Sequence, residues 1–148
     1  MLLEIVYDPT TNPLNNNEWS FPLLEIIHIA AFTLSIGTIA IVDFGLLGWG
    51  KNDASKSLKE TSWLTLVGLV IMLISGPLIF SSDPNMYLRN ASFKFKMVAL
   101  LIAIIYNYTI HRKVVLAGAS PGVNKAVGII SLALWVSVVA GGLFIAFV

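Results

Sequence analysis

Long apolar runs, not strict alternation, set the rhythm of this 148-residue chain. Four of them follow one another at about 21–49, 62–80, 93–110 and 125–147, separated by short polar stretches. Each is close to the roughly 20 residues a helix needs to cross about 30 Å of hydrocarbon. Lipid offers the backbone no hydrogen-bond partners, so each run is predicted to close its own ladder as a transmembrane helix. The connections are about 12, 12 and 14 residues long, which makes consecutive spans antiparallel neighbours. The pattern therefore predicts an all-α integral membrane protein, an up-down bundle of four transmembrane helices. Residues 1–20 are expected to precede the bundle as an extracytoplasmic segment, and residues 21–148 to form the four-helix domain.

Details of the runs refine this picture. The first is long, so it should tilt or extend into the interface. Pro22 near its start is tolerated because a first-turn N–H has no helical partner. Trp19 and Trp49 bracket the run and suit the two aromatic belts of a membrane. Ser75-Gly76-Pro77 lies late in the second span, where proline should kink or loosen the helix. Residues 1–20 lack the positive start, apolar stretch and cleavage site of a signal peptide. They read as a retained polar lead-in, with a short interfacial turn over Leu2 to Tyr7. Gly37, Gly45, Gly48 and Gly141-Gly142 are expected to permit close helix contact.

Composition agrees with the pattern. Of the residues, 57% are hydrophobic and only 11% are charged, against about 25% charged in an ordinary soluble domain. The net charge of +1 provides no field to attract nucleic acid. The absence of cysteine removes disulfides, thiolate nucleophiles and Cys-ligated metal centres. Orientation follows from the loops: Lys51, Lys56, Lys59, Arg112, Lys113 and Lys125 cluster on one side. The other side holds Arg89, with Lys94 and Lys96 at a helix start. The positive-inside rule then puts the first group in the cytoplasm and both termini outside, as in a multi-pass protein of a bacterial inner membrane. Asn90-Ala91-Ser92 matches a glycosylation sequon, a short pattern that often arises by chance.

Polar residues inside the spans are where chemistry should be sought, because ionisable groups in hydrocarbon are costly. At 100° per residue, Glu25, His28, Phe32, Ser35, Ile39 and Asp43 fall within about 80° on the first helix. Lys96, Ala99, Ala103, Asn107 and His111 form a matching stripe on the third, within about 120°. Two such stripes should face each other and make a hydrophilic seam. His28 and Lys96 lie at similar depth and can converge, with Glu25 able to orient His28 or to compete as a ligand. His111 lies about 18 Å deeper than His28, so the two histidines of one subunit cannot share a metal. His111, beside Arg112 and Lys113, reads as an interfacial residue. Asp43 serves either a neighbouring helix or a function.

Several short motifs in fixed order carry a resemblance. Trp19-Ser20-Phe21-Pro22, Glu25-Ile26-Ile27-His28 and Asp43-Phe44-Gly45-Leu46-Leu47-Gly48 resemble the first-helix signature of a family of small bacterial four-helix membrane proteins of unknown function. Gly76-Pro77-Leu78, Asn90 to Met97, Asn107 with His111, Ser131 to Trp135 and Gly142 to Ala146 continue it over about residues 18–147. The chain departs from that pattern at Gly45 and near Leu143, where arginine is expected. More distantly, a His in the first helix and a Lys opening the third resemble the HemJ-type protoporphyrinogen oxidases and the CopD-type copper-resistance membrane proteins. That resemblance implies a haem b site at His28 and Lys96, with His28 the metal ligand.

Three functions are compatible with these residues. The first is a haem b-binding or redox-linked membrane protein using His28, Lys96 and Glu25, in electron transfer or a quinone- or porphyrin-linked oxidation. The second is a small cation, proton or metal transport-related protein, with Glu25, His28, Asp43 and Asn107 lining the path and with Ser35 and His111 in the same seam. The third is an accessory subunit of a larger membrane complex. The expected partners are the lipid bilayer and further copies or subunits. No enzyme motif is present: one Glu-x-x-His pair cannot build a di-iron bundle site, which needs two with further carboxylates.

Overall fold

The computed structural model describes residues 6–51 and 53–148. Four helices are long and apolar enough to cross a membrane: α1 (Ser20–Leu46), α2 (Ala54–Phe80), α4 (Ala91–Ala117) and α5 (Pro121–Phe147). The last turn of α5, after Phe144, tightens to 3-10 geometry. A six-residue helix, α3 (Pro84–Arg89), lies between α2 and α4. The predicted turn over Leu2 to Tyr7 falls largely outside the described residues, and Val6 and Tyr7 are not helical.

α2, α4 and α5 exceed their apolar runs, whereas α1 ends at Leu46, before the predicted 49; the connections are still shorter than the sequence suggests. α2 begins at Ala54 instead of 62, because Asp53 caps it by accepting from the N–H groups of Ser55 and Lys56. The polar first turns of α2 are simply helix outside the apolar run. At the other loop, Gly118 with φ of 63° ends α4 and Pro121 opens α5, leaving three residues between them. α2 runs through Pro77 to Phe80, since a proline in the last turn removes only one ladder donor.

The helices pack as two hairpins, α1 along α2 and α4 along α5, joined mainly where α1 meets α5. Pairing is antiparallel within each. His28 meets Ser75 while Ser35 meets Thr65, and Lys96 meets Gly142 while Tyr106 meets Val127. Buried positions recur at helical spacing: Ala31, Ser35, Thr38, Val42 and Leu46 on α1, and Gly128, Ser131, Trp135 and Val138 on α5. The central core joins Ile39, Leu69, Met72, Ala99, Ala103, Trp135 and Val138 from all four long helices. Large apolar side chains such as Ile26, Leu73, Leu101 and Val136 cover the outside, as a lipid-facing surface does.

Small residues set the helix spacing, partly at positions other than those expected. At Gly68 a Cβ would fall on Ser35 Oγ and 2.6 Å from Ala31 O, so α1 and α2 nearly touch there. Gly128 brings α5 against α1, where a Cβ would stand 3.2 Å from Asp43 O. Gly45 and Gly141 also sit at close contacts, as predicted, whereas Gly37 has nothing within 4 Å and Gly48 serves a turn with φ of 75°.

Side chains tie down the end of the bundle that carries the termini. Asn90 caps α4 by accepting from the Phe93 N–H, and its amide donates to the carbonyls of Ile145 and Val148 at 2.9 Å each. Its nitrogen is therefore engaged and buried, which closes the sequon in the folded chain. Asn12 donates to Ser81 O and Asn15 to Ser82 O, folding the lead-in over the end of α2. Phe80, Tyr87 and Phe93 pack as three rings around α3, with centroids 5.2–6.0 Å apart.

The contrast between two glycines tests this packing. Gly68→Ala is expected to lower stability by about 1–3 kcal/mol through overpacking. Gly37→Ala, with open space around it, should be neutral or gain about 0.5–1 kcal/mol from helix propensity. Equilibrium unfolding in mixed detergent measures both.

Candidate functional site

The deepest polar group is a cluster that three helices build together. Asp43 on α1 and His111 on α4 are 0% and 1% exposed, and His111 Nε2 lies 2.6 Å from Asp43 Oδ1. Ser131 on α5 donates its hydroxyl to Asp43 Oδ2 at 2.7 Å. Asn107, one turn before His111, places its amide nitrogen 3.5 Å from His111 Nδ1. That contact is long for a hydrogen bond. Each carboxylate oxygen thus has one short donor, a requirement for keeping such a group out of water.

Local structure explains how the residues meet. Ala99, Ala103, Asn107, His111 and Val115 are all buried at a strict spacing of four. An α-helix has 3.6 residues per turn, so that spacing would rotate steadily off the buried face. The structure answers with a π turn over Asn107–His111, which is wider and undoes part of the drift. The cluster is reached from α5 because Gly128 lets that helix approach one turn before Ser131.

The arrangement does not build a serine nucleophile. In a Ser-His-Asp set the serine gives its proton to the imidazole, but Ser131 gives it to the carboxylate. With the carboxylate ionised, Asp43 accepts from both Ser131 and His111 Nε2–H, so the neutral ring carries its lone pair on Nδ1. The four side chains are held between three helices, α1, α4 and α5.

A second group lies near the opposite end of the bundle. His28 Nδ1 is 2.7 Å from Ser75 Oγ. The hydroxyl of Ser75 lies 2.7 Å from Ile71 O and donates there, so Ser75 accepts from His28 Nδ1–H. His28 Nε2 then keeps its lone pair. Lys96 reaches the same level, with its ammonium 5.6 Å from the centre of the Phe32 ring and its stem against Gly141 and Gly142.

Two expectations are corrected here. His111 is not interfacial: the wider π turn carries it inward to Asp43. The partner that orients His28 is Ser75, while Glu25 is exposed one turn earlier on α1. The expected seam is also interrupted. Ser35 turns to Thr65 O on α2 instead of to α4, and Ile39, Ala99 and Ala103 fill the middle with apolar contacts. The two histidines occupy separate groups, and among the described residues no three His, Cys, Asp or Glu side chains come together as a metal site.

Residues 22–148 match a family of unknown function, DUF6644. The chain belongs to that family. No curated protein and no solved structure matches it. As a DUF6644 member it carries both candidate groups within the matched region.

A haem can be tested against the second group. An axial imidazole needs a free lone pair on one nitrogen and a fixed hydrogen bond on the other. His28 meets both conditions through Ser75. The residues present fit one axial position, with Lys96 as the neighbouring base or cation.

Ser131 and Ser75 escaped sequence reading. The available signal for Ser131 was its place on the same helical face as Gly128, Trp135 and Val138. For Ser75 it was the proximity in sequence to Gly76-Pro77, which drew attention to backbone instead of side chain.

Truncation separates the pair from its surroundings. Asp43→Ala leaves a buried imidazole unpartnered and is expected to cost about 2–4 kcal/mol in detergent unfolding. Asp43→Leu combined with His111→Leu should be less damaging than Asp43→Ala alone, since no polar group is then stranded.

Proposed function

We propose that this protein is a small proton-linked membrane protein, in which the Asp43–His111 pair holds and passes a proton within the bundle. The single observation that supports it is a 2.6 Å carboxylate–imidazole contact with both partners almost wholly buried among apolar spanning helices. Ionisable pairs in such a place characteristically mark proton relays. A purely structural tie between α1, α4 and α5 needs only neutral hydroxyls and amides, without the cost of burying a carboxylate.

The proton shifts along one hydrogen bond. In the resting state Nε2–H donates to Asp43 Oδ1. When a proton arrives at Nδ1, the Nε2–H bond breaks as the Oδ1–H bond forms. The pair then holds the added proton as a neutral carboxylic acid beside a neutral imidazole. Ser131 keeps its hydrogen bond to Oδ2 in either state, and fixes the carboxyl plane.

The setting is a multi-pass protein of the bacterial inner membrane, with the basic ends of α2, α4 and α5 in the cytoplasm. Lys51, Lys56, Lys59, Arg112, Lys113 and Lys125 support that orientation. The pair then lies nearer the cytoplasmic face, and His28 nearer the outer one.

His28 supports a second reading. Its engaged Nδ1 and free Nε2, with Lys96 at the same level, suit it to hold haem b. Bound there, that group supplies one-electron transfer. Ser75 fixes the tautomer, and the aromatic face of Phe32 shields the Lys96 ammonium.

Infrared difference spectra of the purified protein against pH decide the first reading. A protonated-carboxyl band that rises with acid and is lost in Asp43→Asn is expected, together with a changed titration in His111→Gln. A wild-type protein with no such band refutes it. A reduced-minus-oxidised visible spectrum addresses the second: absence of Soret and α bands, with no haem by mass spectrometry, removes it.

A further inference from the structure

A small cleft borders the buried pair on the side facing α2. Thr38, Ile39, Val42, Leu58, Ser62 and Thr65 line it, and Asn107, Tyr108 and His111 close it from α4. Its volume of about 10 Å³ matches the space one water molecule occupies. Its walls are mostly apolar, with Thr38, Ser62, Thr65 and Asn107 as the polar members; the Thr38 hydroxyl donates to Ser35 O and that of Thr65 to Thr61 O or to Thr38 Oγ1, and so they offer a water their lone pairs. A buried water needs two to four polar partners of this kind.

The chemistry of His111 points into the same space. Nε2 is committed to Asp43, while Nδ1 has only the long 3.5 Å contact with Asn107. Thr38 and Thr65 share a hydrogen bond of 2.7 Å and hold their hydroxyls at the cleft wall. Toward the surface the lining ends at Ser62, half-buried, and Tyr108, which is exposed. Ser62 lies about 12 Å along α2 from its start at Ala54. The basic side chains of α2 begin nearer, Lys59 about one turn and Lys56 less than two turns before Ser62.

We propose that this cleft is the proton port of the protein. One bound water, hydrogen-bonded to the hydroxyl wall, joins His111 Nδ1 to the aqueous phase on the basic side, between α2 and α4. This rests on the proton-linked reading above and adds the route and its side. Hydronium at the cleft mouth beside Ser62 gives a proton to the bound water as that water gives one of its own to Nδ1, so the water is restored in the same step. Atoms and charge balance, with the added proton ending on Asp43. The titratable groups around His111 are Asp43 on α1 and Tyr106 and Tyr108 on its own helix. α2 presents Ser62 and Thr65, and α5 presents Ser131 through Asp43. The apolar middle at Ile39, Leu69, Met72 and Ala103 separates this port from His28, so access is one-sided.

The test is a pH jump on the 148-residue chain in liposomes, read by the time course of the carboxyl and imidazole infrared bands. Ser62→Leu fills the cleft mouth and is expected to slow the response by an order of magnitude without changing its final amplitude. Leu66→Phe, on the outer face of α2 and away from the cleft, should stay near the wild-type rate. If Ser62→Leu does not fold, Thr65→Val, which keeps the volume and removes a hydroxyl, takes its place with the same expected slowing. An unchanged rate in the folded variant overturns the port while leaving the proton site intact. Absence of any band change in the wild type removes the proton site itself, so the two failures are distinct.

Discussion

A carboxylate that has lost its water must find its hydrogen bonds from the protein, and Asp43 shows how much architecture that requires. Its two oxygens are served from two different helices, by His111 of α4 and Ser131 of α5. Neither donor arrives without help. α4 must widen into a π turn to hold His111 on the buried face, and α5 must present Gly128 to come close enough for Ser131. Both features weaken the local helix by ordinary standards. They persist because the alternative is a stranded charge in hydrocarbon, which costs several kcal/mol.

The same constraint divides the bundle lengthwise. Polar groups gather at two levels, His28 with Ser75 and Lys96 near one end, and Asp43 with His111 near the other. Between them the core is made of Ile39, Leu69, Met72, Ala99 and Ala103, with Trp135 and Val138 from α5. Beside it, Ser35 and Thr38 of α1 pair with Thr65 of α2. A bundle built this way keeps any chemistry at the two levels apart, which suits groups that each communicate with their own side of a membrane.

Helix pairing rests on small residues more than on large ones. No water is expelled when apolar helices associate in lipid, so close van der Waals contact and hydrogen bonds take over. Gly68 allows α1 and α2 to meet backbone to backbone, and there Ser35, Thr38 and Thr65 can reach across. The polar termini add their own ties through Asn12, Asn15 and Asn90, each of which binds a carbonyl remote in sequence.

Much of the fold was legible in the sequence alone. Apolar runs near bilayer length determine helices because lipid leaves the backbone no other solution, and short connections determine antiparallel neighbours. The candidate residues His28, Lys96, Asp43, Asn107 and His111 stood out because charge and imidazole are rare in such runs. Their partners did not. Whether His28 is held by Glu25 or by Ser75, and whether His111 faces the interface or Asp43, depends on rotations of a fraction of a turn. Helical periodicity at 3.6 residues cannot resolve those, and a π turn changes them outright. Serine is common in membrane helices, so Ser131 and Ser75 became visible only once packing fixed which hydroxyl met the Asp43 carboxylate and which met the His28 ring. Sequence determined that charge and imidazole lie within the spans; only the tertiary structure decided which of them are buried and who satisfies them, because hydrogen bonds between helices are matters of ångströms and not of pattern.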